Sequence, residues 1–213
     1  MSAVFTWYRK HGLISANPVE AVPNRKERRK PIDYLKGVEV DHLQEGCRTL
    51  RERAILEFLL STGVRVGEVP AINREDIDWR NGEVLIYGHK TQEYRTVYLT
   101  DVAAEHLRKY LDSRTDKNPS LFVWSKRPYK TLQETGIRSL ISNLGKRAAP
   151  ERRVYPHLMR KTMATTLRAK DCPVEDIQHM LGHSNPSTTL AFYAAASTDR
   201  LRYAHNRYLA AGA

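Results

Sequence analysis

The sequence predicts a mainly α domain with a small antiparallel β-sheet, an α+β class, and three observations carry that reading. The stretch Leu50 to Gly63 (LRERAILEFLLSTG) places Leu50, Ala54, Ile55, Phe58 and Leu59 on one helical face and ends in a glycine. Residues 83–88 (EVLIYG) and 95–100 (RTVYLT) alternate apolar and polar around HKTQEY, the period of a hairpin. Beyond residue 130 the apolar spacing is helical and Pro150, Pro156, Pro173 and Pro186 punctuate it.

The elements follow in chain order. Residues 2–12 carry Val4, Phe5 and Tyr8 before a glycine stop, a short amphipathic helix that cannot bury its apolar side alone. Pro18, Pro23 and Pro31 then surround the basic run NRKERRK, which reads as a linker. From about Leu35 the apolar pattern thickens. After the helix 50–63 and the hairpin come a helix over 103–111 and a third short strand at LFVW (121–124). Helices are expected over about 131–147, 157–169, 173–181, 187–195 and 198–209, with Gly182 ending the helix before His183. Glu75 to Asp78 (EDID) precede a strand and read as solvated turn acids.

Composition narrows the function. The 213 residues carry 35 Lys and Arg against 24 Asp and Glu, a net charge of +11. Such an excess is the footprint of a polyanion partner, with nucleic acid favoured over an acidic membrane surface or protein. Lys146 to Lys170 hold eight basic residues and one acid, interleaved with Tyr155, His157, Leu158, Met159 and Leu167, as on a binding face of a folded element. For Arg25, Lys26, Arg28, Arg29 and Lys30 a solvated linker and DNA contact are equally good accounts. No run of eighteen apolar residues and no signal-peptide core is present, so a cytoplasmic location away from membranes is the expectation. Cys47 and Cys172, the only cysteines, are expected to be buried or half-buried thiols.

Catalytic outfits with Walker, GxGxxG, GxSxG or HExxH signatures are absent. His179 and His183 stand at i, i+4 without a carboxylate or thiol to complete a metal site, so no metal and no cofactor is expected. What remains is Arg65 and Glu68 after a helix stop, Lys90 at the hairpin turn, His157 and Arg160 at i, i+3, His183, and Tyr193 within a later helix. Singly these are a surface arginine, a turn lysine, a capping histidine and a packed tyrosine.

Together they resemble the tyrosine recombinases, the phage-integrase and Xer-type family. TGVRVGEVPAINREDIDW resembles that family's first-arginine box, and GHKTQEYRTVYL its hairpin-lysine segment. PHLMRKTMATTLRAKDCPVEDIQHMLGHSNPSTTLAFY is similar to its second box, with HxxR, LGHS and the tyrosine in order. The resemblance spans about residues 37–209 and implies the DNA breaking-rejoining fold. It implies that residues 1–14 are the last helix of an N-terminal core-binding domain, 15–36 a linker, and 37–213 the catalytic domain with a C-terminal helix.

The implied chemistry is site-specific recombination of double-stranded DNA. Tyr193 attacks a phosphodiester to give a 3′-phosphotyrosyl bond. Arg65, Arg160 and His183 hold the non-bridging oxygens, His157 accepts or orients the tyrosine proton, Lys90 protonates the leaving 5′-oxygen, and Glu68 supports. The same resemblance implies metal- and ATP-independence and tetramers on two DNA sites with exchange of the C-terminal helix. Candidate DNA contacts are residues 25, 26 and 28–30 above with Arg95, Lys146, Arg147, Arg152, Arg153 and Lys161. Three positions depart from the family pattern: Lys161 follows Arg160 where His is common, Glu93 replaces a second hairpin lysine, and Pro70 is expected to shorten the helix after Arg65. A DNA-binding module without recombination activity and a type IB topoisomerase are the alternatives.

Overall fold

The computed structural model describes residues 2–20, 33–88 and 92–182. The chain divides into two compact units, residues 1–30 and 31–213. In the first, helix α1 (Ser2–Lys10) ends two residues before the glycine expected to stop it. The following turns fold back within the unit. Arg9 pairs with Glu20 at 2.7 Å, Trp7 stacks on His11, and Asn17 is buried with its amide on the Thr6 hydroxyl.

The second unit begins with α2 (Gly37–Glu45), which the sequence pattern alone does not single out. Helix α3 (Leu50–Thr62) runs through the centre of the core. Thr49 caps its start by accepting from the Glu52 amide, and Gly63 closes it at φ +59°, a left-handed position open to glycine. The helix is buried on nearly all sides because α4 (Asp101–Asp112), α5 (Glu134–Ala148) and α6 (Pro156–Ala169) surround it. Leu56 and Glu57 are therefore buried together with the anticipated Ala54, Ile55, Phe58 and Leu59. Leu50 lies in the first turn, outside the packed layer, and is exposed. Buried Glu57 is satisfied by Arg53 at 2.7 Å and Gln44 at 2.9 Å.

A three-stranded antiparallel sheet covers one side, in the order β1 (Ile77–Asp78), β2 (Glu83–Gly88), β3 (Glu93–Tyr98). Its register pairs Val84 with Val97 and Tyr87 with Tyr94. Val84, Ile86 and Val97 face the core, whereas Leu85, Tyr94 and Tyr98 face out, the alternation the sequence shows. The third strand differs from expectation. LFVW makes a single isolated bridge, Val123 to Thr131, with another from Asn73 to Ser120 just before it, and the short partner of β2 is Ile77–Asp78. Leu121, Phe122 and Val123 are apolar because they plug the core beside Phe58, not because they line a sheet.

Glu75 and Asp76 lie in a 3₁₀ turn, whereas Asp78 is already part of β1. Asp76 accepts from the Asn73 amide and Asp78 from the amides of Arg80 and Asn81. Pro70 sits in a three-residue 3₁₀ helix, Val69–Ala71, so only a single turn follows Arg65. Helix α7 (Val174–Leu181) ends at Gly182, again left-handed at φ +59°. The expected helices at 187–195 and 198–209 lie outside the described residues. Cys47 and Cys172 are half-buried free thiols, and burial pushes the Cys47 thiol up to about 11. No helix among the described residues is long and apolar enough to cross a membrane.

Candidate active site

Two helix C-termini and one strand converge on a cluster of charge. Arg65 leaves α3 two residues after Gly63, and the tight turn there is closed reciprocally. The Glu68 amide donates to the Arg65 carbonyl at 2.8 Å, and the Arg65 amide donates to Glu68 Oε2 at 2.9 Å. The Arg65 guanidinium donates from Nη1 to Glu68 Oε1 at 3.1 Å and from Nη2 to the Gly182 carbonyl at 2.7 Å.

Arg160 approaches from α6. Its Nη1 donates to the Gly63 carbonyl at 2.6 Å and its Nη2 to the Leu181 carbonyl at 2.5 Å. The carbonyl ends of α3 and α7 are the negative poles of their helices, so each is a natural seat for a guanidinium. Arg160 is 3% exposed. Burial, then the like charge of Arg65, pull its pKa down to about 9, and Glu68 counteracts in part. It is still protonated at neutral pH. Of the five N–H donors of each guanidinium, the fold takes one from each terminal nitrogen of Arg65 and Arg160. The remaining N–H groups are donors of the kind that suit an anionic oxygen.

His157 lies one turn before Arg160 at the start of α6, where Pro156 occupies the first helical position. Its pKa lies below the ordinary value, through partial desolvation and then repulsion by Lys161, Arg160, Arg65 and Arg138. The ring is nonetheless solvent-accessible. At neutral pH it is thus a neutral imidazole among cations, fit to accept a proton. Buried Glu68 is the carboxylate that both Arg65 and Arg95 contact. Desolvation works to raise its pKa, but the hydrogen bonds and charge of Arg95, followed by those of Arg65, outweigh it and hold the pKa low.

The structure therefore brings together Arg65, Glu68, Arg160 and His157. Lys90, His183 and Tyr193, and the basic residues Arg25, Lys26, Arg28, Arg29 and Lys30, lie outside the described residues. Lys90 falls between β2 and β3, and His183 directly follows Gly182. Among the candidate DNA contacts, Lys146 and Arg153 line an open polar concavity of about 400 Å³ with Arg138, Ser142 and Asn143, next to Pro156. Lys161 sits over the Tyr155 ring at 6.0 Å.

Three other basic candidates are paired with carboxylates inside the fold. Arg95 makes a bidentate pair with Glu68, at 3.0 and 2.6 Å. Arg147 binds Glu52 at 2.8 Å and the Gly46 carbonyl at 3.0 Å. Arg152 binds both oxygens of Glu39, the Tyr34 carbonyl and Asp33. A basic run records charge, not the acid that folding brings beside it. Among the described residues no group of three or more His, Cys, Asp or Glu is placed to hold a metal ion.

Residues 34–200 match the sequence model of the Phage integrase family. The tyrosine recombinase XerC of Bacillus subtilis (strain 168) is 30% identical over 216 residues, covering 95% of this chain and 70% of that protein. XerC of Pediococcus pentosaceus is 29% identical over 223 residues, covering 98% of this chain and 73% of that one. The crystal structure of XerA recombinase superposes with a TM-score of 0.73 at 28% identity, over 97% of this chain and 73% of that one. The fold is shared at 20% identity with the Tn1549 transposon integrase in complex with a circular intermediate DNA, with a TM-score of 0.72 over 97% of this chain and 76% of that one.

Proposed function

Because this chain belongs to the phage integrase family, we propose that it is a site-specific DNA recombinase that cuts and rejoins double-stranded DNA through a 3′-phosphotyrosyl intermediate. The observation that carries the reading is the pair of guanidiniums, Arg65 and Arg160, seated on helix carbonyl ends with donor edges left over and a neutral His157 beside them.

In this reading the Tyr193 oxygen attacks phosphorus and the bond from phosphorus to the 5′-oxygen breaks. The tyrosine proton, held at a pKa of about 10 in the free side chain, passes to His157. The departing 5′-oxygen takes a proton from Lys90, so the products are a phosphotyrosine and a free 5′-hydroxyl. A 5′-hydroxyl of the partner strand then reverses the step. One phosphodiester bond is exchanged for another, which requires no ATP. Charge accumulating on the non-bridging oxygens meets the forks of Arg65 and Arg160 and a donor from His183, in place of a metal ion. Loss of one such donor costs about 100- to 1,000-fold in rate.

The same reading assigns residues 37–213 to the catalytic domain and 1–14 to the last helix of a core-binding domain. Active complexes are tetramers on two DNA sites, joined by exchange of the C-terminal helix. The role is integration or excision of a mobile element or Xer-type dimer resolution. A duplex recovered by binding selection and nicked near the exchange point gives the test. The protein should become covalently attached to a 3′-phosphate, Tyr193→Phe should abolish the adduct and retain binding, and EDTA should leave the rate unchanged. An adduct formed by Tyr193→Phe, or none formed by the unaltered chain, would sink the assignment.

A further inference from the structure

We infer that Arg95 is a positioning residue for the cleavage site, which acts by occupying Glu68 so that Arg65 keeps a donor edge open for phosphate. The inference rests on the recombinase reading above and extends it to a residue outside the reacting groups. Its basis is a closed ring of four residues from three elements. Arg95, on β3, holds both oxygens of Glu68 at 3.0 and 2.6 Å. Glu68 holds Arg65 through Nη1 at 3.1 Å and through the backbone amide at 2.9 Å. Arg65 reaches the Gly182 carbonyl at 2.7 Å. Gly182 completes the ring by lying against Arg95, since a Cβ there would stand 3.0 Å from both Cδ and Nε of that side chain.

The physical need for Arg95 follows from the chemistry of Glu68. A buried carboxylate only accepts, and it demands compensation from the nearest cations. Arg95 supplies it with a two-pronged pair on a side chain that is only 14% exposed, against 32% for Arg65. Arg65 therefore gives Glu68 a single side-chain contact from Nη1 and Gly182 one from Nη2, and keeps its other guanidinium N–H groups. Without Arg95 the carboxylate would draw Arg65 into the bidentate pair itself, and the edge facing the scissile phosphate would be consumed. Both terminal nitrogens of Arg95 are committed to Glu68, so it serves the site through that carboxylate. Its position on β3, two residues past Glu93, ties the strand that follows Lys90 to the chain that leads into His183.

The test compares Arg95→Gln, Arg95→Lys and the double variant Arg95→Gln/Glu68→Gln on the nicked duplex, with a second duplex carrying a 5′-bridging phosphorothiolate. Arg95→Gln should bind DNA within about 3-fold of the unaltered protein, as expected for a side chain that neutralises no phosphate. It should form the adduct about 10- to 100-fold more slowly, the scale set by a misaligned catalytic group. The phosphorothiolate, whose sulfur leaves without a proton, should give no recovery, because the defect is in the phosphate clamp and not in Lys90. Removing the charge of Glu68 should release Arg65, so the double variant should cleave at least several-fold faster than Arg95→Gln. Neutralising Glu68 would also relieve a purely structural defect, so the rates are compared at a temperature where both variants are fully folded, and a purely structural role would then leave them equal.

Arg95→Lys keeps the charge beside Glu68 and protects folding, and it should be slower than the unaltered protein because an ammonium cannot span both oxygens. Cleavage by Arg95→Gln or Arg95→Lys at the unaltered rate overturns the inference. So does loss of rate in proportion to DNA affinity, or recovery on the phosphorothiolate. If the unaltered chain forms no adduct, the recombinase reading itself has failed.

Discussion

Gly63 joins helix geometry to the phosphate clamp, and its replacement by alanine tests both. The residue sits at φ +59°, where a Cβ costs about 1–2 kcal/mol. A Cβ there would also stand 2.5 Å from Met163 Sδ and 3.0 Å from Leu181 Cδ2. Forcing a methyl into a packed core costs about 1–3 kcal/mol, and the flexible Met163 chain puts this case toward the lower end. Gly63→Ala should then lose about 2–4 kcal/mol, which for a chain of this size is a fall in Tm of roughly 4–16 °C. Urea unfolding and calorimetry measure it, with Gly37→Ala as the control. Gly37 opens α2, nothing lies within 4 Å of its would-be Cβ, and alanine there should be neutral or slightly stabilising. Gly63→Asn separates the two contributions, because asparagine tolerates the left-handed conformation but still carries the Cβ. If dihedral strain dominates, Asn is milder than Ala; if contact dominates, they are alike. A loss for Gly63→Ala within about 0.5 kcal/mol of the Gly37 control would refute the reasoning. The Gly63 carbonyl also seats Arg160 Nη1, so adduct formation should fall even at temperatures where the variant remains folded.

Three further predictions concern charge. NMR titration of His157 in the DNA-free protein should give a midpoint below the ordinary 6.5, and a midpoint at or above it would contradict the cationic surroundings described here. Its depressed pKa means that acidification between the unfolded and folded values costs stability, since the unfolded chain takes up the proton first. Glu68 is also depressed, so the stability of its pair with Arg95 is present above the unfolded carboxylate pKa and is lost as pH falls through the lower folded value. Urea unfolding of the unaltered protein and Glu68→Gln from pH 7 to 3 should show their difference shrinking only in the acid range. A difference that vanishes above pH 5 would be inconsistent with a depressed pKa. Arg152→Ala should lower stability by about 1 kcal/mol at low salt, less at high salt, with DNA affinity nearly unchanged. A variant that keeps its stability and loses affinity would restore Arg152 as a phosphate contact.

The sequence by itself determined the fold class, most helix positions and the order of the candidate groups. Those properties are local. The apolar spacing of α3, its Gly63 stop and the prolines opening α6 and α7 act within a few residues, and alternation along β2 and β3 needs only the strand period. Helix α2 and the true third strand were not legible. LFVW and a buried strand have the same composition, and only packing beside Phe58 distinguishes them. At the site, the sequence marked Arg65, Glu68, His157 and Arg160 but left open which cations face a ligand. Arg95, Arg147 and Arg152 carry the same charge as Lys146 and Arg153, yet the first three are bound to Glu68, Glu52 and Glu39. Glu68 and Arg95 are 27 residues apart, and Gly63 and Arg160 are 97 apart. Only the tertiary structure could decide these pairings, because a guanidinium's partner is whichever carboxylate or helix end the folded core delivers to it.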